Sequence, residues 1–246
     1  MAASHPSTPT FVLLHGLLCD GQTWAHLVGP LSRLGPVLVA RLSGLGSLPG
    51  AAAEVLERTT GPLVVAGHSM GGRIALEVAR QAPQRCAGLV LMNTGYQGLG
   101  EGEAPRRMAQ VEAARAGGIE AIVDAWLDGM IAPRTRGNAA LMRSMRDMVL
   151  RSSVESFAGQ IQALIERPDA TALLGRIACP TLLMSGEEDR WSPLDRHHEM
   201  AARIPGSEVA AIAGAGHMAP FEEPEACTRA ILEWLGRRGL ASAAAR

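Results

Sequence analysis

Short apolar segments recur along the chain and indicate buried strands. Val, Leu and Ile dominate each segment, and the apolar positions are continuous rather than alternating with polar ones. Continuous apolar runs are typical of parallel strands that are covered by helices on both faces. The runs lie at residues 11–14, 36–40, 62–66, 88–92, 180–184 and 208–212.

Helical spacing of apolar residues fills the intervals between these runs. Within residues 72–82, Ile74 and Val78 lie on one side of the predicted helix, which ends before Pro83. Residues 224–235 show the same spacing. Strands and helices therefore alternate, as in a doubly wound α/β fold.

One long interval departs from this alternation. From residue 95 to 178 no strand-like run occurs, and apolar residues recur at helical spacing. We interpret residues 95–178 as a helical cap that is inserted into a core domain formed by residues 10–94 and 179–236. Residues 1–9 and 237–246 are polar or rich in small side chains, and we expect them to be flexible tails.

Composition and charge narrow the range of partners. The 246 residues are 47% hydrophobic, which is enough for a large core in one main domain. Lys and Arg number 23 against 24 Asp and Glu, without a long block of one sign, so we expect no nucleic-acid or membrane partner. No signal-peptide pattern or membrane-length apolar run occurs, so the expected location is cytoplasmic. The four cysteines form no C-x-x-C pair and are expected to be buried thiols rather than disulfides or metal ligands.

A serine flanked by glycines follows the third apolar run. The segment from Gly67 to Gly71 reads G-x-S-x-G, with Ser69 at its centre, and a helical pattern follows it. A phosphate-binding loop would need Lys and then Ser or Thr where Arg73 and Ile74 stand, and a dinucleotide-binding fingerprint would need glycine at position 69. An ordinary strand-to-helix turn is the structural alternative. The strand and helix on either side favour a nucleophilic serine that projects from a sharp turn.

This segment resembles the nucleophile motif of the α/β-hydrolase superfamily, in which serine, acid and histidine follow in that order. Downstream, residues 186–193 resemble the G-x-x-D-x-x-x-P acid loop, with Asp189 at the position of the acid. Residues 214–224 resemble the histidine loop of the superfamily, with His217 in place. The resemblance implies a catalytic triad of Ser69, Asp189 and His217.

The resemblance also implies an oxyanion hole made of backbone N–H groups. One group would come from Met70, directly after the serine. The other would come from Leu17 in the sequence Leu14-His15-Gly16-Leu17-Leu18, which is similar to the His-Gly loop of the superfamily. We assign His68 to packing because it is expected to point away from the site.

The resemblance covers residues 10–236 and implies an α/β-hydrolase fold with an inserted helical cap. Because only nine residues precede the first strand, we expect the first two strands of the superfamily to be absent, and we predict a mostly parallel sheet of about six strands flanked by helices. Residues 40–47 also depart from the usual Asp-rich loop.

The implied activity is that of a serine hydrolase that cleaves a small, largely apolar carboxylic ester or lactone through an acyl-enzyme on Ser69. No metal or cofactor is required. The predicted pocket walls are uncharged. Arg73, Arg134 and Arg136 could meet a carboxylate of the substrate, but the preferred interpretation of each is a solvated surface residue. The wall residues are Leu17, Leu18, Met70, Met130, Ile131 and Met218.

Two alternatives remain open at this point. A carbon–carbon bond hydrolase of aromatic ring-cleavage products usually carries a Gly-Pro-Gly oxyanion loop and a Trp after the catalytic histidine, where this chain has residues 17–19 and Met218. The other alternative is a non-catalytic protein of this fold that binds a small molecule. The sequence makes no prediction of the oligomeric state.

Overall fold

Six parallel strands form one sheet in the computed structural model, which describes residues 8–241. The strand order is β2-β1-β3-β4-β5-β6, so the predicted six-stranded sheet is confirmed. The strands are β1 Thr10–Leu14, β2 Val37–Val39, β3 Leu63–His68, β4 Cys86–Met92, β5 Thr181–Gly186 and β6 Glu208–Ile212.

Both faces of the sheet are covered, which explains the continuous apolar runs. Along β3, Val64 packs into the cluster that contains the first and last helices, whereas Val65 packs into the cluster on the opposite face. Side chains of a strand alternate between faces, so a strand buried on both sides has no polar positions. The edge strands β2 and β6 are only partly buried.

Helices occupy most of the chain between the strands. The helix α3 begins one residue after the end of β3, and α11 is the last helix of the described residues. The helices are α1 Ala25–Ser32, α2 Leu48–Glu57, α3 Met70–Gln81, α4 Glu103–Gly117, α5 Val123–Asp128, α6 Ala139–Leu150, α7 Val154–Ile165, α8 Thr171–Leu174, α9 Leu194–Ala201, α10 Ala219–Glu222 and α11 Pro224–Arg237.

The helical insertion, which we define as residues 93–180 between β4 and β5, carries α4 to α8 and no strand along its described length. Its apolar residues join the core cluster that also contains α2 and α3. The insertion therefore packs on the same side of the sheet as the helix that follows Ser69.

The carboxyl ends of the strands meet at one edge of the sheet. Leu14 is aligned with Gly67, and His68 is aligned with Met92, so β1, β3 and β4 end side by side. Ligands of open α/β sheets bind outside this edge. The predicted nucleophile, Ser69, is the first residue beyond the end of β3.

The end of the chain corrects one expectation. Most of the two expected tails lies outside the described residues, but Arg237 is the last residue of α11 and the backbone N–H of Leu240 donates to Leu235 at 2.9 Å. The side chain of Leu240 fills the space beside Gly88 and Trp234. The expectation of a flexible tail is therefore wrong for residues 237–240, because the apolar side chains of Leu240 and Ala241 pack against the core.

Two further observations concern residues 8–241. None of their helices is long and apolar enough to cross a membrane. All four cysteines are free thiols, as expected, and Cys179 is the one that is only partly buried.

Candidate active site

Ser69 occupies a strained turn between β3 and α3. Its φ of 55° and ψ of −114° lie outside the regions that side-chain-bearing residues favour. The turn is fixed from both sides, because the Ser69 N–H donates to the Met92 carbonyl at 2.9 Å and the Thr94 hydroxyl donates to the Ser69 carbonyl at 2.7 Å. The backbone around the serine is thus held in a conformation that exposes its hydroxyl.

The two glycines of the motif are required by close backbone approach. A Cβ at position 67 would lie 2.2 Å from the carbonyl oxygen of Gly71. A Cβ at position 71 would lie 2.1 Å from the carbonyl oxygen of Leu14. Only glycine allows β3, α3 and the end of β1 to meet this tightly, which explains the pattern on either side of Ser69.

The structure brings the three predicted triad residues into one hydrogen-bonded chain. Nε2 of His217 lies 2.8 Å from Oγ of Ser69, and Nδ1 of His217 lies 2.9 Å from Oδ2 of Asp189. A carboxylate only accepts hydrogen bonds, so Nδ1 carries the imidazole proton and Nε2 is free to accept the proton of the serine hydroxyl. Oδ1 of Asp189 accepts from the backbone N–H groups of Trp191 and Ser192, both at 2.8 Å.

Asp189 stays ionised although it is buried. Burial alone would raise its pKa, but the charge interaction and hydrogen bond with His217, together with a hydrogen bond from Asn93, hold the pKa well below its usual range. Nδ2 of Asn93 lies 2.8 Å from Oδ2 of Asp189 and 3.2 Å from the Gly216 carbonyl. Asn93 joins the acid to the histidine loop, and our sequence analysis missed it because Asn after a strand is also a common turn residue.

Two contacts hold the backbone of His217. Nε2 of His68 donates to the His217 carbonyl at 2.8 Å, and the N–H of His217 donates to the Met130 carbonyl, also at 2.8 Å. Burial lowers the pKa of His68 to about 3, so this ring is neutral. The assignment of His68 to packing alone was incomplete, since its ring supports the loop that carries the imidazole.

Glu222 ties the same loop to the helical insertion. Its Oε1 accepts from the N–H of Gly216 at 2.9 Å. Its Oε2 accepts from the N–H of Ala132 at 2.8 Å and from the Thr135 hydroxyl at 2.6 Å. One partly buried carboxylate thus links residues from two parts of the chain, a contact that sequence spacing does not reveal.

The two predicted oxyanion donors lie beside the serine. Leu17 and Met70 both line the cavity above it, and their backbone N–H groups have no acceptor within residues 8–241. Gly16 permits the close approach, since a Cβ there would lie 3.2 Å from Cβ of Ser69. The following residue, Leu18, has a φ of 57° and donates its N–H to Oε1 of Gln160 at 3.1 Å.

This combination of a serine turn, an imidazole and a carboxylate can be compared with known proteins. The alpha/beta hydrolase family matches residues 11–230. The chain belongs to this family.

The chain is similar to esterases of this hydrolase family. The pimeloyl-[acyl-carrier protein] methyl ester esterase of Xanthomonas axonopodis pv. citri is 31% identical over 230 residues, which cover 87% of this chain and 89% of that protein. The biotin biosynthesis bifunctional protein BioHC of Cellvibrio japonicus is 24% identical over 239 residues. The matched residues make up 92% of this chain, but the chain spans only 47% of that protein. A thermophilic esterase from Thermogutta terrifontis superposes with a TM-score of 0.85 at 29% identity, covering 95% of this chain and 91% of that one.

A cavity of about 740 Å³ opens above Ser69 in this hydrolase. The helical insertion supplies Trp126 and Leu164 to its lining. Four of the six predicted wall residues also line it, namely Leu17, Met70, Met130 and Met218.

The other two predicted wall residues lie elsewhere. The positive φ of Leu18 directs its N–H to Gln160, while its side chain is buried in the core cluster. The backbone of Ile131 packs against Gly216, where a Cβ would lie 2.7 Å from the carbonyl carbon of Ile131. Leu18 and Ile131 are therefore packing residues, and their prediction as wall residues was wrong.

The expectation of an uncharged cavity is also wrong. Arg134 and Arg136 are exposed outside the cavity, as expected, where they pair with Glu223 and Asp128. Arg73, however, lines the cavity instead of facing solvent, together with five further arginines from distant segments. The charged residues of the lining are Arg73, Arg106, Arg107, Arg167, Arg190, Arg196, Glu103 and Asp169.

The described residues contain no group of three His, Cys, Asp or Glu side chains arranged to hold a metal ion. The polar groups that face the cavity are mainly hydroxyl, imidazole, amide and guanidinium groups. These groups suit an uncharged or anionic organic ligand rather than a cation.

Proposed function

We propose that this protein is a serine hydrolase that cleaves a small carboxylic ester or lactone through an acyl-enzyme on Ser69. The observation that carries the proposal is the hydrogen-bonded chain from Ser69 through His217 to Asp189, which faces a cavity. A hydroxyl bonded to a neutral imidazole, with a carboxylate behind it, is arranged to lose its proton as the oxygen attacks a carbonyl carbon.

In the first half of the proposed reaction, Oγ of Ser69 bonds to the acyl carbon while Nε2 of His217 takes the hydroxyl proton. The carbonyl π-electrons move to oxygen, and the N–H groups of Leu17 and Met70 stabilise the resulting negative charge. The bond to the leaving oxygen then breaks, and the imidazolium transfers its proton to that oxygen.

In the second half, water adds to the acyl-enzyme. Nε2 of His217 accepts a proton from the water as the water oxygen bonds to the acyl carbon. The bond between that carbon and Oγ of Ser69 then breaks, and the imidazolium returns a proton to Oγ. Asp189 remains ionised throughout and stabilises the imidazolium. The products are a carboxylic acid and an alcohol, or a hydroxy acid if the substrate is a lactone.

The ester class is supported by the relatives and by the size of the cavity. The names of the Xanthomonas relative and of the Thermogutta structure both state an esterase activity. The volume of about 740 Å³ falls in the range that holds small organic ligands. We also propose that the helical insertion acts as a cap, because it supplies Trp126, Met130 and Leu164 to the wall above the serine.

Burst kinetics with p-nitrophenyl esters of increasing acyl length test this function. We expect the wild type to release about one equivalent of p-nitrophenol before the steady state, since acylation precedes hydrolysis of the acyl-enzyme. Ser69→Ala and His217→Ala should lower kcat by several orders of magnitude while both variants unfold cooperatively.

Ser32→Ala is the matched control, because Ser32 lies on α1 and its hydroxyl donates only to Gly29. This variant should keep the wild-type burst. Wild-type turnover by Ser69→Ala would contradict the proposal. Folded wild-type protein without turnover on any chain length would instead favour the carbon–carbon bond hydrolase or the binding protein.

A further inference from the structure

Positive charge is concentrated around the cavity. Its lining carries six arginines and two carboxylates, whereas the whole chain has a net charge of −1. The excess is therefore local and not a property of the overall composition. A cleft lined by one sign of charge raises the local concentration of ligands of the opposite sign.

Two of these arginines share one carboxylate within the protein. Glu103 accepts from Nε of Arg107 at 2.8 Å and from two nitrogens of Arg167, at 2.9 and 2.5 Å. Burial would raise the pKa of Glu103, but hydrogen bonds from Arg167, Gly100 and Arg107 outweigh it and lower the pKa to about 2. These three side chains form a closed ion-pair network and leave no carboxylate oxygen of Glu103 for another arginine.

Arg73 and Arg196 have no such partner. Among residues 8–241, neither guanidinium lies within ion-pair distance of a carboxylate. Nη1 of Arg73 donates to the Gln97 carbonyl at 2.8 Å, and Nη1 of Arg196 donates to the Trp191 carbonyl at 3.1 Å. Each guanidinium has five N–H donors, so each keeps further donors for a ligand.

The two guanidinium groups converge at Gly95. A Cβ at this position would lie 3.0 Å from Nη2 of Arg73 and 3.5 Å from Nη1 of Arg196. Both cationic nitrogens thus lie within 3.5 Å of one point, and an anion near that point would relieve the repulsion between them. Burial and the neighbouring charge of Arg167 lower the pKa of Arg73 to about 9, which leaves it protonated at neutral pH.

The pair is close enough to Ser69 to contact the same substrate molecule. Arg73 lies four residues after Ser69, one turn further along α3, and both line the cavity. Arg196 lies on α9, directly after the loop that carries Asp189. The cavity thus has a reactive end at Ser69 and a cationic end at Arg73 and Arg196.

We propose that the substrate carries an anionic oxygen group, a carboxylate or a phosphate, which binds between Arg73 and Arg196 while its ester lies at Ser69. The position of the ester at Ser69 rests on the proposed esterase function, whereas the contact of the anion with the two arginines does not. The planar fork of arginine matches both oxygen groups, because it forms parallel hydrogen bonds to two of their oxygens. The substrate is accordingly an ester of a dicarboxylic acid, a hydroxy acid or a phosphorylated acid.

A matched pair of substrates tests the carboxylate. We compare the mono-p-nitrophenyl ester of adipic acid with its methyl ester, which has nearly the same shape and no charge. In the adipate ester, the free carboxylate is too far along the chain to attack the ester carbonyl through a five- or six-membered ring. The wild type should show a kcat/KM at least about tenfold higher for the acid, since a charge-assisted hydrogen bond is worth that factor or more.

Arginine variants locate the contact. Arg73→Gln and Arg196→Gln should each lower kcat/KM at least about ten times more for the acid than for the methyl ester. Arg115→Gln is the control, because Arg115 is exposed on α4, pairs with Glu112 and does not line the cavity. It should leave the ratio of the two substrates unchanged. Raising the salt concentration should lower kcat/KM for the acid only.

Calorimetry measures the same contact without turnover. The Ser69→Ala protein is titrated with monomethyl adipate and with methyl 6-phosphonooxyhexanoate, whose only anionic group is the phosphate, and binding of one and not the other identifies the oxygen group. A second change, Arg73→Gln or Arg196→Gln, should weaken binding at least about tenfold, and the two positions serve as independent tests.

Two results overturn the inference. One is an equal kcat/KM of the wild type for the acid and the methyl ester, which excludes a carboxylate, together with no binding of the phosphate ester to Ser69→Ala. The other is the absence of binding of both anions to Ser69→Ala, whatever the esterase result. Cleavage of neutral esters without preference for the acid would leave the proposed function standing, whereas anion binding without any cleavage would contradict only the esterase activity.

Discussion

At the scale of single residues, the charge of Asp189 depends on donors from separate parts of the chain. The imidazole of His217, the amide of Asn93 and two backbone N–H groups all donate to its oxygens. Asn93 has a φ of 48° and lies directly after β4, where it reaches both the acid and the histidine loop. We therefore propose that Asn93 is a positioning residue for the triad.

Replacement of Asn93 tests this role. Asn93→Gly keeps the backbone freedom that a positive φ requires and removes the amide donor. We expect kcat to fall about tenfold to hundredfold with little change in KM, because a hydrogen bond to a charged group is lost away from the substrate. Steady-state kinetics with a p-nitrophenyl ester measure both constants.

Asn138→Gly is the control for this experiment. Asn138 caps α6 by accepting from the N–H of Leu141, far from the triad in the sequence, and it lies outside the cavity lining. Its replacement should leave kcat unchanged. A kcat for Asn93→Gly within twofold of the wild type would contradict the positioning role.

At the scale of elements, the unit β3-turn-α3 holds Ser69 in place through close backbone contacts. The turn has no room for a side chain at position 67 or 71. Sequence predicted this unit well, since an apolar run, the G-x-S-x-G spacing and a helical pattern are all local signals. It did not predict the buried Gln160, which reaches from α7 to the Leu18 loop, because that contact joins residues 142 positions apart.

The glycine of the turn provides a stability test at this scale. Gly71→Ala should lower the free energy of unfolding by roughly 3 kcal/mol or more, because the new Cβ would overlap the Leu14 carbonyl. Gly236→Ala on α11 is the matched control, since a Cβ there meets nothing within 4 Å. Alanine in a helix is favoured by up to about 1 kcal/mol over glycine, so the control should be neutral or stabilising.

Urea unfolding of both variants measures these free energies. Equal stability of Gly71→Ala and the wild type would show that the turn can open, and that its strained conformation is not imposed by packing.

At the scale of the whole molecule, the site is assembled from parts that only the fold brings together. The six strands could be predicted, and the triad and the oxyanion loop could be proposed, because each has a local pattern in the sequence. The charge of the cavity could not, because its arginines come from α3, α4, the segment between α7 and α8, the loop before α9 and α9 itself. Taken singly, each of these arginines resembles a solvated surface residue.

Glu222 links the helical insertion to the histidine loop and allows a test of this assembly. Glu222→Gln replaces one acceptor oxygen by an N–H₂ group, which then faces a backbone N–H of Gly216 or Ala132. We expect a loss of about 1–3 kcal/mol in the free energy of unfolding and a lower kcat, because a buried donor is left unpaired. Urea unfolding and ester hydrolysis measure the two effects.

Glu225→Gln, an exposed residue in the first turn of α11, is the control and should change neither quantity. If Glu222→Gln retained wild-type stability and kcat, the insertion and the histidine loop would be independent of each other.

The most direct test of the account is covalent labelling of the native protein with a fluorophosphonate, followed by mass spectrometry of the intact chain and its peptides. An activated serine attacks phosphorus and displaces fluoride, whereas an ordinary serine does not. We predict one adduct per chain, on Ser69, with none in Ser69→Ala and much slower labelling in His217→Ala. Absence of an adduct in folded wild-type protein, or an adduct on another residue, would contradict the assignment of Ser69 as the nucleophile.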